Sequence, residues 1–263
     1  MLLLSIIIMG ILQGLTEFLP VSSSGHLTLY QYFSTEVNEN LSLNIAVHLG
    51  TLLTILIYYR KDIMDLLMGL LRRDYESIQM CIHIIVASIP TALIGLFMKK
   101  NFEWILTDPV IAGLGLMGTG FILLSSAKGF DRRAGFNLSG FGTDIKTAFI
   151  IGIVQGFAVL PGISRSGSTI VSGLFLGMDS RNAARFSFLI SVPAIFGAGL
   201  LEFVGSEQSL SIKELGIGVL VSFVTGLLAI SWMVRLVQNN RLKGFAYYVF
   251  GLSGLFFAYL LMN

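Results

Sequence analysis

Six uninterrupted apolar stretches, each close to the length of a bilayer crossing, leave this chain little freedom in how it folds. They run over residues 41–59, 78–98, 110–127, 183–204, 215–234 and 245–262. A spanning helix needs about 20 apolar residues, and in hydrocarbon only helices and closed barrels satisfy every backbone polar group. Composition agrees, with 54% of the 263 residues hydrophobic and 12% charged, against roughly a quarter charged in a soluble domain. The pattern predicts an all-α polytopic membrane protein, one integral unit over residues 1–263 with no room for a separate soluble domain. Cys81 is the sole cysteine, which excludes an internal disulfide framework and a Cys-cluster metal site. No Walker motif, dinucleotide fingerprint or nucleic-acid-binding helix is present, so no nucleic-acid partner is expected.

Two further segments, 6–29 and 148–176, are apolar at both ends but broken by Pro and by a Ser/Gly cluster. They are expected to be re-entrant helix-loop-helix hairpins. Residues 1–22 lack the basic start and small-residue cleavage site of a signal peptide, and are expected to stay in the mature protein. The basic residues test this partition, because Lys and Arg collect in cytoplasmic loops. If both hairpins enter and leave on one side, thirteen of the 17 basic residues fall on one face, in the clusters around Arg60, Arg72, Arg132, Arg181 and Arg241. Only Lys99, Lys100 and Lys213 fall on the other, and Arg165 lies inside the second hairpin. Both termini are then expected on the outer face of the cell membrane. Tyr58, Tyr59, Tyr247 and Tyr248, at span ends, are expected in interfacial belts.

Each half then holds one hairpin and three spans, and an odd number inverts the second half relative to the first, giving repeats of approximately 1–127 and 128–263. A shift of 142 aligns Gly10, Gln13, Gly14, Ser22, Ser24 and Gly25 with Gly152, Gln155, Gly156, Ser164, Ser166 and Gly167. Inverted repeats with broken helices place their binding site where the breaks meet, so the two tips are expected to face each other.

The tips carry the chemistry. A charge at membrane depth costs about 2.5–3.5 kcal/mol on insertion scales and marks function by default, which singles out Glu17 and Arg165. The plainer alternative is a buried ion pair that only joins the hairpins. Ser/Gly-rich tips that restart a helix present N–H groups and hydroxyls at the positive end of its dipole. Two such tips around one Arg suit a diphosphate, bound by Arg165 with Gly162, Ser164, Ser166, Gly167 and Thr169. Gln13 and Glu17, spaced i, i+4, share a helical face that suits a hard divalent cation. His26 is a candidate general base or nucleophile, and Ser23 an alternative nucleophile.

At these residues the chain resembles the undecaprenyl-diphosphate phosphatases, the bacitracin-resistance phosphatase family. The matching pieces are Gln13-x-x-x-Glu17, Phe18-Leu-Pro-Val-Ser-Ser-Ser-Gly-His26 and Pro161-Gly-Ile-Ser-Arg-Ser-Gly-Ser-Thr169. Val47-His-Leu-Gly-Thr51 and the Ser88-Ile-Pro90 and Ser191-Val-Pro193 segments extend the likeness over nearly the whole chain. The resemblance implies a multi-pass membrane phosphatase that removes the terminal phosphate of a polyprenyl diphosphate lipid, recycles the carrier for cell-wall glycan synthesis and confers bacitracin resistance. It implies dependence on Mg2+ or Ca2+, with Glu17, His26 and Arg165 essential and the nucleophile His26, Ser23 or a water. Family members often carry Glu where this chain has Gln13, so here the motif offers one carboxylate and one amide. The competing function is a transporter or flippase of a phosphorylated lipid or anion. The oligomeric state, a homodimer included, stays open.

Overall fold

Hydrocarbon offers no partner to a backbone N–H or C=O, so chains of this composition close their hydrogen bonds within helices. The computed structural model describes residues 2–34, 40–131, 143–203, 210–239 and 241–262. Arg132, Arg133 and Val204, used in the sequence partition, lie outside them. The described residues form only helices. A broken pair, α1 (Leu2–Phe18) and α2 (Ser23–Phe33), leads into α3 (Leu41–Tyr58), α4 (Arg60–Leu71), α5 (Tyr75–Asn101), α6 (Glu103–Thr107) and α7 (Pro109–Asp131). A second broken pair, α8 (Ile145–Phe157) and α9 (Arg165–Phe175), leads into α10 (Ser180–Phe203), α11 (Ile212–Gln238) and α12 (Lys243–Met262).

Six helices, α3, α5, α7, α10, α11 and α12, are long and apolar enough to cross a membrane, and they coincide with the six stretches read from sequence. Their outward faces carry bare hydrocarbon, with Leu93, Phe121, Leu228 and Leu255 all more than half exposed. In lipid that is a solvated surface. Helix α4 was not foreseen, because Arg60, Lys61, Asp62 and Asp65 make it read as a loop. It buries Leu66 alone.

Polar caps fix where helices start. Asp74, Asp144 and Ser211 accept the N–H of Ser77, Thr147 and Glu214, three residues on, and Glu214 returns a bond to the Ser211 N–H as a capping box. Asp144, outside the apolar segment, is held below the ordinary carboxylate range, chiefly by the Thr147 N–H.

The two halves interlock. Helices α1 and α3 of the first half pack on α11, α5 packs on α8, and α7 packs on both α9 and α12. Helix pairs in lipid lack a hydrophobic drive to associate and rely on small residues for close approach. A Cβ on Gly14 would sit 2.6 Å from the Ser222 carbonyl of α11, and one on Gly152 would sit 2.2 Å from the Ala87 carbonyl of α5. Tyr59 departs from its expected place in an interfacial belt. It is buried, with its ring 6.0 Å from that of Phe188, because α3 packs against α10 at that end.

Candidate functional site

Both broken pairs are apolar helices of 17 and 13 residues that stop at a Pro-containing turn and restart as an 11-residue helix. This geometry is compatible with re-entrant hairpins. Each restart uses the same cap. Ser22 Oγ accepts the Gly25 N–H at 3.2 Å, and Ser164 Oγ accepts the Gly167 N–H at 3.0 Å. Each cap also lies beside the hydroxyl two residues on, 3.2 Å from Ser24 and 3.3 Å from Ser166. Three of the six identities seen at a shift of 142, Ser22, Ser24 and Gly25 with Ser164, Ser166 and Gly167, are therefore the residues that rebuild a helix after a break. Ser23 and Arg165 become equivalent, each the first residue of its restarted helix.

The two tips meet. A Cβ on Gly25 would lie 2.9 Å from Gly162 Cα, and one on Gly167 would lie 3.2 Å from Pro20 Cβ. Gly162 itself has φ +85°, a conformation that L side chains rarely adopt. Thr119 of α7, not singled out from sequence, holds the second tip. Its hydroxyl donates to the Gly162 carbonyl at 2.7 Å and accepts the Ser164 N–H at 2.8 Å.

Where the tips touch, three donors converge on one buried carboxylate. Arg165 Nη2 donates to Glu17 Oε1 at 2.5 Å across 148 residues. Ser23 Oγ donates to Oε2 at 2.6 Å, and Gln13 Nε2 reaches the same oxygen at 3.1 Å. Since a carboxylate oxygen only accepts, Gln13 must turn its nitrogen to Glu17. That nitrogen also lies 3.3 Å from Thr51 Oγ1, while Gln13 Oε1 is buried with no partner among the described residues. Arg165 Nη1 is likewise buried and unpartnered among them. The ion pair anticipated from sequence exists, and it leaves half of the guanidinium fork unused.

The other expected residues take different places. Ser164 lines the cavity beside Arg165, while Gly162 and Gly167 form the tip contact. Ser166 Oγ donates to the Leu19 carbonyl of the first tip at 3.4 Å. Thr169 bonds the Arg165 carbonyl at 2.8 Å and the Ser187 hydroxyl at 2.5 Å, which turns it toward α10. Because Ser164 and Gly167 spend their N–H groups inside the tip, the first-turn donors left over belong to Arg165 and Ser166. The ring of His26 sits apart from the carboxylate. Its Nδ1 lies 2.7 Å from the Ser22 carbonyl and its Nε2 lies 2.8 Å from the Tyr248 hydroxyl.

A cavity of about 420 Å³ opens onto this cluster. Its polar end holds Glu17, Ser23, His48 and Arg165; its walls are apolar, from Leu96 and Leu106 to Ile195 and Leu201. It extends to Lys99 and Glu202, at the ends of α5 and α10 on the face poor in basic residues. An acceptor carboxylate, a hydroxyl aimed at it and a half-free guanidinium, below an apolar trough, have the chemistry to take a group that is anionic at one end and apolar at the other.

A family model described as bacitracin resistance protein BacA matches residues 6–255. The chain belongs to the BacA family. This BacA-family protein is 42% identical over 265 residues to an undecaprenyl-diphosphatase of Desulfosudis oleivorans, covering 94% of this chain and 95% of the relative. An undecaprenyl-diphosphatase of Methanococcus vannielii is 40% identical, covering 95% of this chain and 97% of the relative. One from Rhodopirellula baltica is 38% identical, covering 94% and 93%. The segments 13–26 and 161–169, which carry the resemblance in the sequence, are the ones that meet at the two tips.

Proposed function

We propose that this chain hydrolyses undecaprenyl diphosphate to the monophosphate and inorganic phosphate, returning the lipid carrier to cell-wall glycan synthesis and conferring bacitracin resistance. The observation that carries the residue assignment is the Ser23 hydroxyl donating to Glu17 Oε2 at 2.6 Å, with Arg165 on the other oxygen. A site that only bound or carried an anion would gain nothing from a carboxylate there, which disfavours the transporter reading.

In this mechanism the diphosphate enters with its tail along the apolar wall between α5 and α10. Arg165 Nη1 and the first-turn N–H groups of α9 bind its terminal phosphoryl group. Ser23 Oγ attacks the terminal phosphorus as its proton passes to Glu17 Oε2, and the P–O bond to the bridging oxygen breaks, releasing polyprenyl monophosphate. Water then attacks the phosphoserine, inorganic phosphate leaves, and the proton held at Glu17 returns to Ser23. A carboxylate paired with Arg is a weak base, but phosphoryl transfer proceeds through a loose transition state that leans on positioning and charge more than on deprotonation.

The cofactor in this reading is Mg2+ or Ca2+. The protein offers Glu17 and the unpartnered Gln13 Oε1, and no group of three or more His, Cys, Asp or Glu gathers to hold a metal among the described residues. Mg2+ takes most of its ligands from water and substrate phosphates, so these residues fit a cation that arrives with the diphosphate. When bound it would neutralise charge on the phosphoryl oxygens.

The cavity reaches the face that carries few basic residues, which supports an outer opening and both termini on the outer side of the cell membrane. Phosphate release from undecaprenyl diphosphate by detergent-purified protein, with and without chelator, tests the assignment. Chelator-sensitive release lost in Ser23→Ala and Glu17→Gln is expected; a folded wild-type protein that releases nothing overturns it.

A further inference from the structure

Tyr248 stands on α12, 222 residues from His26, and half of it is exposed. From sequence it belongs to an interfacial belt. In the structure its hydroxyl lies 2.8 Å from His26 Nε2 and its ring stacks on the imidazole, with centroids 5.7 Å apart and planes inclined by 10°. Further along, Phe256 and Tyr259 of α12 meet Tyr32 and Phe33 of α2 edge to face, so α12 holds α2 at two levels.

The donor roles around His26 can be worked out. The Ser22 carbonyl only accepts, so the imidazole must carry its proton on Nδ1. A neutral ring then has a lone pair on Nε2, which the Tyr248 O–H satisfies. A charged imidazolium in an apolar bundle, with no carboxylate bonded to it, is the costly alternative. The residue at the far end of this chain of bonds is Ser22, at φ +68°, one of two non-glycine residues with positive φ among the described residues. That backbone conformation is unfavourable for an L side chain and persists only where surrounding contacts hold it. The Ser22 hydroxyl is held by the Gly25 N–H, and its carbonyl by the His26 ring and the His26 N–H, which lies 3.2 Å from that carbonyl. The next residue is Ser23, whose hydroxyl meets Glu17.

We propose that Tyr248 is a positioning residue of the site. It anchors Nε2 and so holds the His26 ring against the Ser22 carbonyl, which sets the Nδ1–H tautomer, and His26 in turn holds that carbonyl so that Ser23 faces Glu17. The part of this that concerns turnover rests on the assignment of Ser23 and Glu17 above. His26 then acts through the backbone of the tip rather than on the phosphoryl group, and α12 becomes part of the machinery without lining the cavity.

The test uses Tyr248→Phe, which keeps the stacked ring and removes the hydrogen bond, beside Tyr248→Ala, which removes both. Full-length protein with 15N-labelled histidine, purified in detergent, reports the tautomer. The three histidines are few enough to assign, with His26→Gln identifying the relevant signals. The expected wild-type spectrum shows His26 protonated at Nδ1 and bare at Nε2. In Tyr248→Phe the Nε2 signal shifts and the Nδ1–H signal broadens as the ring loosens from the Ser22 carbonyl, kcat falls about tenfold and KM moves less than twofold. His48, whose Nδ1 lies 2.8 Å from the Asn44 carbonyl, should not respond and serves as the internal control. Unchanged His26 signals in Tyr248→Phe overturn the proposal, as does an unchanged kcat. If the wild-type protein releases no phosphate, the phosphatase reading falls while the comparison of His26 signals still decides whether Tyr248 anchors His26.

Discussion

The Ser23 hydroxyl stands 2.6 Å from Glu17 Oε2, bridging the last turn of α1 and the first residue of α2 across the Pro20 break. In the proposed mechanism the contact joins a nucleophile to a proton acceptor, so the two side chains are expected to fail in different ways when altered. Ser23→Ala is expected to lower kcat by about 10³-fold or more with little change in stability. Glu17→Gln, which still accepts from Ser23, should lose about 10²-fold. Both Glu17 variants should in addition lower stability, Glu17→Ala by about 3–5 kcal/mol, because each leaves Arg165 as an uncompensated buried charge. Phosphate-release kinetics and thermal unfolding in detergent measure all three, and full activity in Ser23→Ala would falsify the nucleophile assignment.

Arg165 uses one nitrogen of its fork on Glu17, and Nη1, buried without a partner among the described residues, is the atom proposed to bind the substrate. A lysine has a single point of charge and cannot serve both. Arg165→Lys is therefore expected to raise KM about tenfold and lower kcat about 10²-fold at unchanged net charge. Near-normal kinetics in this variant would show that charge alone suffices.

Gly25 lets the two tips touch, with a Cβ at that position 2.9 Å from Gly162 Cα and 3.1 Å from Leu116 Cδ2. Both neighbours are fixed, one because it is backbone and the other because Leu116, on α7, is fully buried. Gly25→Ala should part the tips, cost about 1–3 kcal/mol and reduce activity by more than its stability loss predicts. A fully active, equally stable Gly25→Ala protein would mean that the tips tolerate separation.

Gln13 Oε1 is a buried acceptor without a partner among the described residues. In Gln13→Glu a second carboxylate joins Glu17, so the cation concentration for half-maximal release should drop about tenfold. The same variant in chelator should unfold at a lower temperature than wild type, since two carboxylates then repel without a cation between them. Titrating Mg2+ and Ca2+ against both proteins checks the first half, and unfolding in chelator checks the second.

Asp144 caps α8 through the Thr147 N–H at 2.7 Å, and its carboxyl is held below the ordinary range. A lowered carboxylate contributes stability above its unfolded value and loses it as pH falls through the folded one. Asp144→Ala is expected to cost about 1 kcal/mol at neutral pH. The gap between wild type and variant should close below about pH 4, near the ordinary Asp value. Melting curves from pH 7 to pH 3 give the comparison; a gap constant across that range would remove the charge from the explanation.

Much of this arrangement could be read from the chain. The six spans were legible because hydrophobic length against bilayer thickness is a one-dimensional property. Gln13, Glu17 and Arg165 stood out because polar groups are costly at membrane depth whatever surrounds them. The doubled Ser-x-Ser-Gly motif announced its two caps, since capping is local and spans four residues.

What the sequence by itself determined is therefore everything governed by neighbours along the chain: which segments cross, where helices break, and which side chains are too polar to be idle. Only the tertiary structure decided which of those polar groups meet. It sent His26 to Tyr248 instead of to the carboxylate, placed Tyr59 in the core, brought in Thr119 to hold the second tip, and closed the Glu17–Arg165 pair across 148 residues. The physical reason is that these contacts depend on how interleaved helices rotate about their axes. That rotation is set by the close approach of small residues on partners such as α1 and α11, a property of the packed pair that neither segment carries alone.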